Sequence, residues 1–157
     1  VYVINGRTLD DPMFGHKLAF LEAMRAHLGG YASREGALPM VVSGDFNIAP
    51  ADVDVYDPRA FENATHVTPE ERALLAGILT DGALVDAYRH LSPDTVQYTW
   101  WDYRMGAFHK NLGLRIDLML ASRSLAPRLR SCGIARDFRK GPKPSDHVPV
   151  LLEIAEA

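Results

Sequence analysis

The chain has 157 residues, 47% of them hydrophobic and 24% charged, with a formal net charge of -3. That length and composition suit one globular domain and exclude collagen-like, low-complexity and disordered classes. No apolar run approaches the ~18 residues of a membrane-spanning helix, and the single cysteine, Cys132, excludes an intrachain disulfide and points to a reducing, cytoplasmic setting.

Tyr2–Ile4 reads as the stub of a strand, so the chain is expected to start inside one, and Asn5-Gly6 is a turn signal. From Met13 the period changes: Phe14, Leu18, Leu21, Met24 and Leu28 mark one helical face, which Gly29-Gly30 is expected to end. A short buried strand follows at 39–43, then a long loop over 44–67 rich in Asp, Pro and Asn. A loop of more than ~15 residues in a compact domain is usually functional or disordered. Thr68-Pro69-Glu70-Glu71 opens the next helix, with Thr68 as N-cap, proline at the first position and Glu71 closing a capping box; Asp81-Gly82 stops it. Residues 83–91 add a short helix or turn. The remainder reads as strands at 97–101, 115–121, 131–138 and 147–154. Two early helices and a run of late strands predict an α+β class, one mixed β-sheet with helices on one face.

Charge is unevenly spread. Residues 1–99 hold seven basic against fourteen acidic side chains, and residues 100–147 hold ten against four. The cluster from Arg128 to Lys143 is either a phosphate-facing edge or a solvated face.

Four segments carry groups with chemistry. If the strand persists through Gly44-Asp45-Phe46-Asn47, Asp45 and Asn47 project to one side roughly 6–7 Å apart and converge on a water; the alternative is an Asx turn. Ser145-Asp146-His147, stiffened by Pro142 and Pro144, presents a carboxylate suited to a hard cation beside an imidazole suited to a phosphate or a proton. In the strand at 115–121, Arg115 and Asp117 share a face, either as a salt bridge or with Asp117 orienting an imidazole. The run Tyr98–Arg104 is aromatic-dense, which suits core packing, or sugar and base contact beside Arg104, Lys110 and Arg115.

Taken together, Gly44-Asp45-Phe46-Asn47, Trp100-Trp101-Asp102-Tyr103-Arg104, Leu114-Arg115-Ile116-Asp117-Leu118-Met119-Leu120-Ala121-Ser122 and Ser145-Asp146-His147-Val148-Pro149-Val150 resemble the bacterial exodeoxyribonuclease III family. These are apurinic/apyrimidinic endonucleases of the endonuclease/exonuclease/phosphatase superfamily. The resemblance implies half of a four-layer α/β/β/α sandwich. It also implies a Mg²⁺-dependent phosphodiesterase (Mn²⁺ as the alternative ion) cutting 5′ to abasic sites and trimming 3′ ends of duplex DNA. By resemblance Asp45 activates or positions the attacking water, Asn47 orients it, His147 contacts the scissile phosphate, Asp117 pairs with His147, and Tyr2 lies close to the phosphate. The metal site draws on Asp146, with Asp45, Asn47 and His147 around it. Asn5, Arg104, Lys110 and Arg115 contact DNA, and Trp100, Leu114 and Ile116 form the pocket that receives a flipped-out abasic sugar.

The family's Phe-Asn-x-Asn-Gly strand and metal-ligating Gln-Glu-Thr motif do not occur in this sequence. Residues 1–157 are therefore expected to be the C-terminal part of such a domain, whose N-terminal half is its partner, with no membrane involved. The rival readings are a non-catalytic fragment and another superfamily phosphodiesterase acting on a phospholipid or inositol phosphate.

Overall fold

A computed structural model of the chain describes residues 1–156. The elements run α1 (Pro12–Ala32), β1 (Val41–Asp45), α2 (Pro69–Asp81), β2 (Leu84–Asp86), α3 (Ala87–Leu91), β3 (Trp100–Trp101), β4 (Gly113–Leu114), β5 (Asp117–Ser122), β6 (Leu129–Ile134) and β7 (Val150–Ile154). No helix among the described residues is long and apolar enough to cross a membrane.

Helix α1 starts where Asp11 accepts from the Met13 N–H at 2.9 Å, with Pro12 in the first turn. It does not stop at Gly29-Gly30 but runs through them to Ala32, and Ser33 closes it. The physical reason lies in helix packing. A Cβ on Gly29 would sit 3.2 Å from Asp81 Cβ of α2, so the glycine permits a close crossing that Arg25 and Asp81 then bridge at 2.6 Å. Helix α2 begins as its sequence predicts: Thr68 Oγ1 accepts from the Glu71 N–H at 3.2 Å, and Glu71 Oε2 accepts from the Thr68 N–H at 3.0 Å.

The central sheet has the order β1-β5-β2, all antiparallel. Side chains alternate across a strand, so Leu118 and Leu120 of β5 turn to one face, where α1 and α2 cover them with Leu21, Leu28, Leu75 and Ile78. The opposite face carries Asp45 against Asp117, Ser43 against Met119 and Val41 against Ala121. That face is covered in part. Ala121 is fully buried in a second core with Tyr88, Leu129 and Cys132, while Val41 stays 40% exposed.

The α+β class holds, but the strands form three short ladders rather than one continuous sheet: β1-β5-β2, β3-β4 and β6-β7. Among the described residues the parallel contact is a single bridge, Tyr2 to Asp45. Late strands are shorter than their apolar runs. Pro149 has no N–H to donate, so the chain pairs Val148 with Thr99 (2.8 Å) before it and enters β7 only at Val150. Residues Arg136–Arg139 turn as a 3₁₀ helix instead of extending β6, which leaves Phe138 68% exposed. The long loop 44–67 is ordered by two 3₁₀ turns, Asp52–Asp54 and Pro58–Phe61.

Candidate active site

The end of β1 is built around a glycine. Gly44 has φ +146°, and a Cβ there would lie 1.9 Å from the Val1 carbonyl oxygen, so only glycine lets the first residues pass over it. That passage pairs Tyr2 with Asp45 and brings the Val3 N–H to the Asp45 carbonyl at 2.8 Å. The strand ends at Asp45, and Asn47 takes a left-handed conformation with φ +50°. Asp45 Oδ1 accepts from the Asn47 N–H at 2.8 Å, and Asp45 Oδ2 accepts from Asn47 Nδ2 at 2.9 Å. Of the two alternatives the structure takes the Asx turn: the strand does not persist to Asn47, and the turn itself brings the carboxylate and the amide together.

Strand β5 sets Asp117 directly across from Asp45. Asp117 Oδ2 accepts from His147 Nδ1 at 2.8 Å, which turns His147 Nε2 toward Asp45 Oδ2 at 3.9 Å. His147 is delivered by the loop before β7, where its N–H reaches Ser145 Oγ at 3.1 Å and its backbone bridges Trp100. Asp146 accepts from Trp100 Nε1 at 3.0 Å. These groups meet in a cleft of about 390 Å³ whose walls include Tyr2, Asn5, Trp100, Arg104, Ile116 and Asp146.

Three expected residues lie elsewhere. Arg115 is 1% exposed and its guanidinium is held by Asp54 at 2.7 Å and Asp86 at 2.7 Å, so it is an internal ion-pair residue and not a phosphate contact. Leu114, 1% exposed, packs in the core with Val55 and Ile116 and does not line the cleft. Lys110 is exposed, outside the cleft walls. Arg128 of the basic cluster also turns inward, donating to the Ala155 carbonyl at 3.0 Å.

Sequence reasoning missed Lys17, His66, Glu71 and Asp102. Asp102 lines the cleft and is bridged to Arg104 at 2.6 Å. Lys17 is fully buried; Nζ donates to the Asn47 carbonyl at 2.7 Å and pairs with Glu71. Its signal was present, because Lys17 shares a helical face with Leu21 and Leu28 where an apolar side chain belongs. His66 Nδ1 donates to the same Asn47 carbonyl at 2.6 Å, and its Nε2 then accepts from Asn5 Nδ2 at 3.4 Å. The carbonyl that completes the left-handed turn is therefore gripped by two side chains.

Burial shapes the electrostatics. Desolvation pushes the Asp45 carboxyl up to about 6, with the Asp117 charge adding to it and the Asn47 hydrogen bond and the His147 charge opposing it. Burial alone would disfavour the His147 cation. The hydrogen bond and charge of Asp117, together with Asp45 and Asp146, outweigh it and hold His147 above its ordinary value. Burial, and then the Lys17 charge, drop His66 to about 4, which keeps it neutral.

Asp45, Asp117 and His147 each offer one ligand atom within 4.8 Å of the others. Since Asp117 is committed to His147 and Asp102 to Arg104, the Asp45 and Asp146 carboxylates and the Asn47 amide face the cleft as oxygen donors, a set that fits a hard divalent cation.

Residues 23–147 match the endonuclease/exonuclease/phosphatase family. The chain is 37% identical over 164 aligned positions to exodeoxyribonuclease III of Haemophilus influenzae, covering 96% of this chain and 60% of that protein. It is 37% identical to an exodeoxyribonuclease of Bacillus subtilis, over 74% of this chain and 44% of that one. Among solved structures it superposes on the Neisseria 3′ phosphatase NExo bound to a product DNA hairpin with TM-score 0.93 and 37% identity, covering 99% of this chain and 60% of that one. An AP endonuclease from Archaeoglobus fulgidus gives TM-score 0.91 at 32% identity, covering 98% and 59%. The chain thus spans 44–60% of the length of these relatives. The match over most of its length shows that the chain belongs to the endonuclease/exonuclease/phosphatase family.

Proposed function

We propose that the chain supplies the C-terminal part of a cytoplasmic, divalent-metal-dependent phosphodiesterase of DNA repair, cutting 5′ to abasic sites and trimming 3′ ends of duplex DNA. The observation that carries this reading is the Asp117–His147 hydrogen bond of 2.8 Å, which aims the free imidazole nitrogen into the cleft beside Asp45. Nuclease chemistry needs a group to accept a proton from water and a cation to meet the phosphate. Without a cation, burial raises the Asp45 carboxyl to about 6, so at neutral pH it is largely ionised and able to accept a hydrogen bond from water. Asn47 Nδ2, fixed between Asp45 Oδ2 and the Val3 carbonyl at 2.9 Å each, keeps the carboxylate in one orientation. Asp117 raises the affinity of His147 for a proton, which favours donation from Nε2 to a phosphate oxygen.

Asp146 and Asp45, with the Asn47 amide oxygen, are the residues that would hold Mg²⁺ or Mn²⁺, which when bound neutralises charge on the scissile phosphate. Trp100 and Ile116 form an apolar wall suited to a baseless sugar, and the exposed Arg104 on the cleft rim offers a cation to a backbone phosphate. The names of the relatives, an exodeoxyribonuclease and a phosphatase bound to a DNA hairpin, support DNA as the partner.

Mg²⁺ relies on only one or two protein carboxylates, so a missing glutamate is a large part of its site. The 157-residue chain by itself is accordingly expected to nick negligibly, and to gain activity when a family N-terminal half is added. The assay is Mg²⁺-dependent nicking of a duplex carrying one abasic site. Nicking that appears on complementation and disappears in His147→Ala supports the reading. Robust nicking by the chain alone would overturn the incomplete-site argument, and no nicking with the N-terminal half present would overturn the nuclease assignment.

A further inference from the structure

A second cavity, of about 410 Å³, lies next to the cleft, between the loop 102–109 and the turn 139–144, and shares Asp102 with it. One wall is Arg139, which is 8% exposed. Its Nη2 donates to the Trp101 carbonyl at 3.3 Å, and its guanidinium lies 4.7 Å from the Tyr103 ring centroid and 5.6 Å from that of Phe108. Its Nε has no partner, and among the described residues no carboxylate comes within ion-pair distance of it.

The other deeply buried cations behave differently. Lys17 has Glu71, and Arg115 has Asp54 and Asp86. A buried charge without a counter-charge is costly unless something completes it. The surroundings of Arg139 do not supply an acid: Asp102 is matched by Arg104 at 2.6 Å and Asp137 by Lys140 at 2.6 Å. Arg136 adds a further cation, stacked 4.2 Å from the Phe108 ring centroid and donating to the Phe108 carbonyl at 3.2 Å.

We propose that this cavity is a nucleotide subsite in which Arg139 and Lys140 take a phosphate and the exposed Tyr103 ring takes the base. A guanidinium presents a planar fork of donors that matches a phosphate, and the unpartnered Nε lies on that fork. Aromatic faces accept any nucleobase by stacking. The volume is that of a small-ligand pocket, in the range of roughly 300–1,000 Å³. The ligand class rests on the nuclease reading, since a strand cut in the neighbouring cleft would bring nucleotides to this one. The phosphate belongs either to a released mononucleotide or to a nucleotide still in the strand.

The test follows backbone amide shifts of the metal-free chain titrated with dAMP, with deoxyadenosine and with a short duplex oligonucleotide, and measures affinities by calorimetry. Shifts at Gly106, Lys140 and Gly141 are expected with dAMP and persist in His147→Ala. Arg139→Gln is expected to weaken binding about tenfold or more, and deoxyadenosine to bind weaker by a similar factor, as loss of a charge-assisted contact implies. Shifts at these amides with the duplex but not with dAMP identify a strand-held phosphate and also support the subsite. Should Arg139→Gln fail to fold, the wild-type shift pattern decides alone. Shifts confined to Asp45, Asn47 and His147, no shifts at all, or a folded Arg139→Gln with unchanged affinity for both probes would overturn the proposal. None of these readouts needs turnover, so failure of the subsite is distinct from failure of the nuclease assignment.

Discussion

His66 carries a pH dependence whose sign is fixed by its surroundings. It donates to the Asn47 carbonyl while the Lys17 ammonium donates to the same oxygen, so protonation would place two cations against one acceptor. Its folded value of about 4 lies below the ordinary 6.5, so the unfolded chain binds the proton more tightly. The stability contributed by neutral His66 is therefore present above pH 6.5 and is lost as pH falls toward 4. At about 1.4 kcal/mol per pKa unit, the loss is on the order of 3 kcal/mol. His66→Asn keeps a donor without titrating, so urea unfolding across that range should show a flatter pH dependence in the variant than in the wild type. Equal slopes would mean that His66 titrates normally in the fold. Lys17, Glu71 and His66 sit on α1, α2 and the loop between, and they hold the turn that presents Asn47. This is how helices on the covered side of the sheet reach a cleft on its end.

Helix α1 shows that two adjacent glycines can have opposite roles. Gly30 has nothing within 4 Å of a built Cβ, whereas Gly29 faces Asp81 of α2 at 3.2 Å. Glycine in a helix interior costs roughly 0.5–1 kcal/mol relative to alanine. Gly30→Ala should therefore raise the thermal midpoint by a gain of about that size. Gly29→Ala should give less or reverse sign, because α2 must shift to admit the methyl group. Thermal unfolding of the two variants checks this, and an equal gain at both positions would show that the helix crossing is loose. The same pair explains why local signals misplace the end of α1. A glycine that stops an isolated helix is here a glycine that lets two helices approach.

Across the whole molecule, the basic C-terminal portion divides into arginines that face solvent or the cleft and arginines that hold the core. Arg104 borders the cleft and is exposed, while Arg115 is enclosed by Asp54 and Asp86. Each phosphate contact on duplex DNA contributes about 0.9 to the slope of log affinity against log salt. Arg104→Ala should reduce that slope by about one such step, with the fold intact. Arg115→Ala should instead strand two buried carboxylates and destabilise the chain by about 3–5 kcal/mol. Salt-dependent DNA binding and urea unfolding of the two variants separate these outcomes. An unchanged slope in Arg104→Ala would make that arginine only a partner of Asp102.

What the sequence by itself determined was local. The cap at Thr68, the period of α1 and a strand leading into Asp45 are set by neighbouring residues and stand in the structure, although the strand runs over Val41–Asp45 and is partly exposed rather than buried at 39–43. The Asp45–Asn47 pair was legible because an Asx turn needs only three residues. The Asp117–His147 hydrogen bond was expected from the family resemblance, although thirty positions separate the two residues. The tertiary structure alone decided which charges are inside. Arg104 follows an aromatic run and Arg115 sits in an apolar strand, but nothing local names Asp54 and Asp86 as the carboxylates that enclose Arg115. Lys17 and His66 join the site because α1 and the 44–67 loop fold onto one carbonyl, a contact between segments far apart in the chain. The three separate ladders likewise follow from Pro149 and the turn at Arg136–Arg139, where backbone pairing yields to what the loops around the cleft require. Charges cost little in water and much in a protein interior, so their partners are set by where the whole chain brings them.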